Sequence, residues 1–203
     1  MTTKNKRDKA IINDLSRFRV LTRDQLVALH FRGLRQPVKN CNFVMKRLRR
    51  DGEVKALTDG KQYVYMPAGS TIKKGSTKIP HFLRIADFYQ ELCEIERPQR
   101  FKVEPKIGEK GTVEPDIFMI WKQAPFFVEL QRTTYGQRVF NEKMARYDHY
   151  YHGGEWKRSD WQPSGESLFP NVWIITSHRY EVSGDKRRSY QVLQTARVRE
   201  LFG

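Results

Sequence analysis

The stretch from Pro37 to Gly52, PVKNCNFVMKRLRRDG, decides how the rest of the chain is read. Proline opens it and Asp51-Gly52 closes it, so the spacing predicts a helix between them. Val38, Cys41, Val44 or Met45, and Leu48 recur at helical spacing as an inward stripe. The outward positions carry Lys39, Phe43, Lys46 and Arg50, flanked by Asn40, Asn42, Arg47 and Arg49. Long cations in a row suit phosphates, and Asn and Arg have the donor and acceptor geometry to meet adenine and guanine edges. A solvated basic face that binds nothing is the competing reading of any such helix.

Working outward, Ile11, Leu15 and Phe18 predict an amphipathic helix over 6–20, and Thr22 with Gln25 forms a capping box ahead of Leu26 and Leu29. After the third helix, 53–57 and 61–65 alternate around Thr58-Asp59-Gly60, a hairpin signal. Three helices followed by a hairpin is the winged-helix order. The expected DNA contacts are Gln36, Lys39, Asn40, Asn42, Phe43, Lys46, Arg47, Arg49 and Arg50. Lys55 and Lys61 are added at a wing tip reaching backbone or minor groove; a hairpin that only caps the core is the alternative.

The charge distribution favours binding. The chain has 203 residues and a net charge of +15, and residues 1–75 hold 18 basic against 6 acidic residues, net +12 of that total. A merely soluble surface would not require the excess to sit in a third of the chain, and a polyanionic partner would. No apolar run nears the roughly 20 residues of a membrane span, and no signal-peptide stretch follows the N-terminus. A cytoplasmic, nucleoid- or plasmid-associated protein without membrane partners is therefore expected, with Cys41 and Cys93 as reduced core thiols.

The segment 67–77, rich in Pro, Gly, Ser and Thr, reads as a boundary. Expected are a winged-helix domain over 1–67, a linker over 68–79 and an α/β domain over 80–203, an α+β chain overall. In the second domain the pattern predicts helices over 80–97, 137–151 and 189–202, with strands over 100–105, 113–121, 126–130 and 171–176. Residues 156–170 show no periodicity and read as a surface loop. A turn near Gln123-Ala124 would pair 121 with 126 and hence 116 with 131, placing Asp116 roughly 5–8 Å from Glu129 on one face. Two carboxylates so placed can hold Mg²⁺. Alternatively Arg132, Lys143 or Arg146 pairs with Glu129, whose charge is costly in the apolar run Phe126-Phe127-Val128-Glu129-Leu130 without a partner.

Pro115-Asp116 with Glu129-Leu130-Gln131 resembles the PD-(D/E)XK nuclease core. The whole run is similar to the replication-relaxation family of plasmid and phage proteins. It comprises a basic winged helix, His81-Phe82-Leu83, Pro115-Asp116, Val128 to Thr133, and Lys143-Met144-Ala145-Arg146-Tyr147. The resemblance spans roughly residues 8–180. It implies double-stranded DNA binding tied to replication, relaxation, mobilisation or their regulation; the partners expected beside DNA are a second copy, with the nuclease-like domain as a dimerisation scaffold, and other replication or relaxosome proteins. It does not imply a proven catalytic activity, and the cofactor, if the nuclease-like site is active, would be Mg²⁺. That alternative, a metal-dependent endonuclease, would use Asp116, Glu129, Gln131 and Lys143. Gln131 departs from the motif's lysine, which Lys143 would replace from the next helix if it is not a plain surface residue.

Overall fold

The computed structural model describes residues 5–58, 62–108, 112–182 and 189–202. The chain is α+β and divides into two compact units, Met1–Glu91 and Leu92–Gly203.

In the first unit, α1 (Lys6–Phe18) starts at a capping box in which the Asn5 side chain accepts from the Asp8 amide at 2.9 Å. β1 (Leu21–Thr22) leads into α2 (Arg23–His30), where Thr22 and Gln25 form the reciprocal pair read from the sequence. α3 (Pro37–Arg50) buries Cys41, Met45 and Leu48, and β2 (Val54–Leu57) and β3 (Val64–Pro67) follow. The three strands form an antiparallel sheet in the order β1-β3-β2. β3 begins three residues later than expected, with Leu57 opposite Val64. Residues 62 and 63 turn toward α2 instead: Gln62 Nε2 donates to Asp24 at 2.8 Å and the Arg23 amide to the Tyr63 carbonyl at 3.3 Å. Asp59, Gly60 and Lys61, the expected wing tip, lie outside the described residues.

The segment expected as a linker, 68–79, leads into the next helix. α4 (Lys78–Cys93) begins there and belongs, as far as Glu91, to the first unit. Gln25 ties it down by donating to the Leu83 carbonyl at 3.0 Å and to Asp87 at 2.6 Å, and Phe18 packs on Tyr89. Cys41 is buried, but Cys93, one position past the buried Leu92 at the end of α4, is exposed and is not a core thiol.

The second unit is a five-stranded sheet in sequence order: β4 (Arg100–Val103), β5 (Ile117–Trp121), β6 (Ala124–Leu130), β7 (Asn171–Ile175) and β8 (Val192–Thr195). The first three strands are antiparallel, and β6, β7 and β8 run parallel. α5 (Gln137–Gly153) connects β6 to β7, as a parallel crossover requires. Its Phe140, Met144, Tyr147 and Tyr150 pack on Phe118, Phe127, Val172 and Ile174.

In the second unit the structure departs from the sequence pattern at three places. The helix over 189–202 is replaced by β8 and a 3₁₀ turn at Val198–Phe202, because Val192–Thr195 pairs with β7 and Trp173 donates to Thr195 Oγ1 at 2.9 Å. The stretch 156–170 is not a plain surface loop: Trp156 and Phe169 are buried in the core, and Trp161 packs on Phe118. The β5–β6 register is shifted by two residues. Trp121 opposes Ala124 across a two-residue turn in which Lys122 and Gln123 both take positive φ, 49° and 63°. Residues 113–116 precede β5 rather than belonging to it.

Candidate nucleic-acid interface

α3 has two sides. Cys41, Met45 and Leu48 lock it to the first unit, while Lys39, Asn40, Asn42, Phe43, Lys46, Arg49 and Arg50 are all exposed. Burial also acts on the chemistry of the inner side, pushing the Cys41 thiol up to about 11, so this cysteine is inert packing. The outer side is a largely cationic strip roughly 17 Å long from Lys39 to Arg50, at a rise of ~1.5 Å per residue.

Not every residue expected on that strip is there. Arg47 turns inward and donates to Asp8 Oδ1 at 2.7 Å; Asp8 is fully buried, so this guanidinium is committed to holding α1 against α3. Asn40 spends its amide nitrogen on the Gln36 carbonyl at 2.8 Å, which makes this pair a brace at the entry of the helix. Arg50 pairs with Asp51 at 3.0 Å while 71% of its side chain stays exposed, a surface contact that a phosphate can displace. Lys55 projects from β2 and donates to the Ser70 carbonyl.

A groove runs beside the strip. Arg23, Asn42, Lys46, Arg49, Gln62, Tyr63 and Tyr65 line it between α2, α3 and the hairpin. A second depression continues past Lys46, Arg49 and Arg50 to Lys55 and Ala56. Arg23, Gln62 and Tyr63 were missed from sequence because only the return of residues 62 and 63 toward the start of α2 brings them beside α3. The sole hint was that Arg23 directly follows the Thr22 cap.

The second unit holds a different kind of site. Glu129 faces α5 from the middle of the sheet and is almost completely buried. Lys143 Nζ lies 2.6 Å from its Oε2, and the Tyr147 hydroxyl donates to its Oε1 at 2.7 Å; the two donors sit one helical turn apart on α5. Burial nevertheless raises the Glu129 carboxyl above the ordinary glutamate range, because desolvation outweighs the Lys143 ammonium, and Asp116 adds to the rise. The Tyr147 hydroxyl is likewise pushed well up by burial. Asp116 Oδ2 accepts the Leu130 amide at 2.7 Å, fastening the end of β6. Gln131 accepts from the Tyr180 hydroxyl at 3.0 Å, and that hydroxyl in turn accepts the Tyr135 amide at 2.9 Å.

Of the four residues expected to form a nuclease-like centre, Glu129 and Lys143 are in contact and Asp116 acts on the Glu129 carboxyl, whereas Gln131 bonds to Tyr180. As arranged, they do not fit a divalent ion. Both Glu129 oxygens are engaged, and the Lys143 ammonium stands where an ion bound to that carboxylate would place its charge. Among the described residues, no three His, Cys, Asp or Glu side chains group so as to hold a metal. Gln131 serves as an acceptor rather than as a positive charge.

A family model described as replication-relaxation matches residues 12–163, well over half of the chain, from within α1 to beyond α5. No curated protein and no solved structure matches it. No helix among the described residues is long and apolar enough to cross a membrane.

Proposed function

The chain belongs to the replication-relaxation family, and on that premise we propose that it binds double-stranded DNA of a plasmid or phage through a winged-helix-type first unit. The observation that carries this reading is the outer face of α3: Lys39, Asn42, Phe43, Lys46, Arg49 and Arg50 are exposed together on a helix whose other side is locked into a core. Such a helix fits the B-DNA major groove, its lysines and arginines meeting phosphates while Asn42 faces base edges. The groove beside it, with Arg23, Lys46 and Arg49, extends the same positive surface toward the hairpin. A docked protein of this kind acts in replication, relaxation or mobilisation of its element, or in their transcriptional regulation. A second copy on a two-fold-related half-site and other replication or relaxosome proteins are the partners this reading calls for.

The second unit, on this reading, is a scaffold. Its carboxylates are held by Lys143, Tyr147 and the Leu130 amide.

The test is binding of the purified protein to duplex fragments of the encoding element, followed by anisotropy across a salt series. Affinity is expected to fall with a log–log slope of about −5 if roughly six phosphates are neutralised. Lys46→Ala combined with Arg50→Ala should weaken binding at every salt concentration. Unchanged binding would sink the assignment of α3. Incubation of supercoiled plasmid with Mg²⁺ addresses the cluster: nicking that disappears in Glu129→Ala would replace the scaffold reading with a nuclease.

A further inference from the structure

Phe43 is the one large apolar side chain on the cationic strip whose position has no explanation in the fold. It is 71% exposed, the highest value for a large hydrophobic residue among the described residues, whereas Cys41, Met45 and Leu48 of the same helix are at 0–1%; Val38, expected on that inward stripe, is at 43%. It sits four residues after Lys39 and three before Lys46, so the three side chains leave the helix from one face. Flanking cations disfavour an apolar protein surface as the covering partner, since their desolvation would go uncompensated. They favour a polyanion that itself carries apolar groups.

In the major groove of DNA the apolar group on offer is the thymine C5-methyl. We infer that Phe43 is a specificity-determining residue that packs on thymine methyls, so that the bound sequence carries thymine where α3 crosses the groove. The inference rests on the reading of α3 as the groove-facing helix. The lysines hold the backbone on either side and bring the ring down to the base edges. Asn42, adjacent in sequence and also exposed, is placed to contact an adenine edge at a neighbouring position.

The experiment removes one methyl at a time. A bound duplex is first selected from a randomised pool with the full-length protein, and each thymine in it is then replaced by deoxyuridine. Burying one methyl group corresponds to about a fourfold gain in affinity. The wild-type protein is therefore expected to lose about fourfold at one or two uridine positions. Phe43→Ala should bind the thymine duplex more weakly and be indifferent to uridine at those positions, while Phe43→Leu should recover part of the sensitivity. Both variants should melt with the wild type, because the ring is exposed. A wild type insensitive to uridine everywhere, or a Phe43→Ala variant with the sensitivity intact, would overturn the inference while leaving DNA binding in place. Failure to bind any duplex would instead overturn the reading of α3 and the inference with it. A Phe43→Ala variant that changes self-association in sedimentation, with uridine sensitivity unaltered, would make the ring a protein contact and also overturn it.

Discussion

The Arg47 guanidinium lies 2.7 Å from the fully buried carboxylate of Asp8, joining the third helix to the first turn of the first. Asp8 also receives the Asn5 amide within the capping box, so one buried acid serves two elements. Removing its cationic partner leaves an uncompensated buried charge, which usually costs more than the pair contributes when intact. Arg47→Ala is therefore expected to lower stability by about 3 kcal/mol in urea unfolding, with part recovered on adding Asp8→Asn. Lys46→Ala, one residue away and exposed, should stay within about 0.5 kcal/mol. Equal effects for the two variants would remove Arg47 from its structural role.

The β5–β6 turn carries local strain that a single glycine should relieve. Lys122 and Gln123 both occupy positive φ, a region that disfavours side chains with a Cβ by roughly 1 kcal/mol. Lys122 has a compensation, its ammonium lying 4.3 Å from the Phe202 ring centre. Gln123 is the better target. Gln123→Gly is expected to stabilise by about 0.5–1 kcal/mol and raise the melting temperature by roughly 2 °C, read by calorimetry. A lower melting temperature would mean that the unfolded-state entropy of glycine outweighs the strain.

Glu129 gives the second unit a pH dependence of definite sign. Its carboxyl is raised in the folded protein, first by burial and then by Asp116, against the pull of Lys143 and Tyr147. The folded state thus holds this proton more tightly than the unfolded chain. The stability linked to it is present in full below the ordinary glutamate value and is lost as pH rises through the raised one. Glu129→Gln keeps an acceptor for Tyr147 and removes the titration. Urea unfolding at rising pH, starting from the ordinary glutamate range, should show the wild type losing ground against this variant. A stability difference between the two that does not change with pH would contradict the raised carboxyl.

The sequence was most legible where the signal is local. Thr22 and Gln25 announced the start of α2, and Pro37 and Asp51-Gly52 bracketed α3, because caps and helix breakers act within four residues. It was misleading where a distant partner decides. Arg47 has the look of its neighbours on a basic helix, and only the packing of α1 reveals Asp8 opposite it. Lys122-Gln123 lacks the Asn or Gly that marks a two-residue turn, so the register was placed two residues away. Val192–Thr195 is a strand because β7 offers it a free edge, a fact that lies 20 residues upstream. The carboxylate cluster was half legible. The buried charge in Phe126–Leu130 demanded a partner, and Lys143 was among the three named, but Tyr147 was not foreseen.

Arg23 tests the groove independently of the helix beside it. It is the first residue of α2, lines the groove with Asn42, Lys46, Arg49 and Tyr63, and pairs with Asp24 across an exposed 3.0 Å contact. Such a pair contributes little to stability, so Arg23→Ala should unfold within about 0.5 kcal/mol of the wild type. If the groove grips a phosphate, the variant loses affinity several-fold to cognate and random duplexes alike, and the salt slope falls by about one, since one fewer counterion is released. Asn42→Ala, on the same groove but without charge, should instead weaken the cognate duplex selectively and leave the slope unchanged. Anisotropy titrations of both variants over a salt series read all four quantities. An Arg23→Ala variant with wild-type slope and affinity would show that DNA follows α3 without entering the groove.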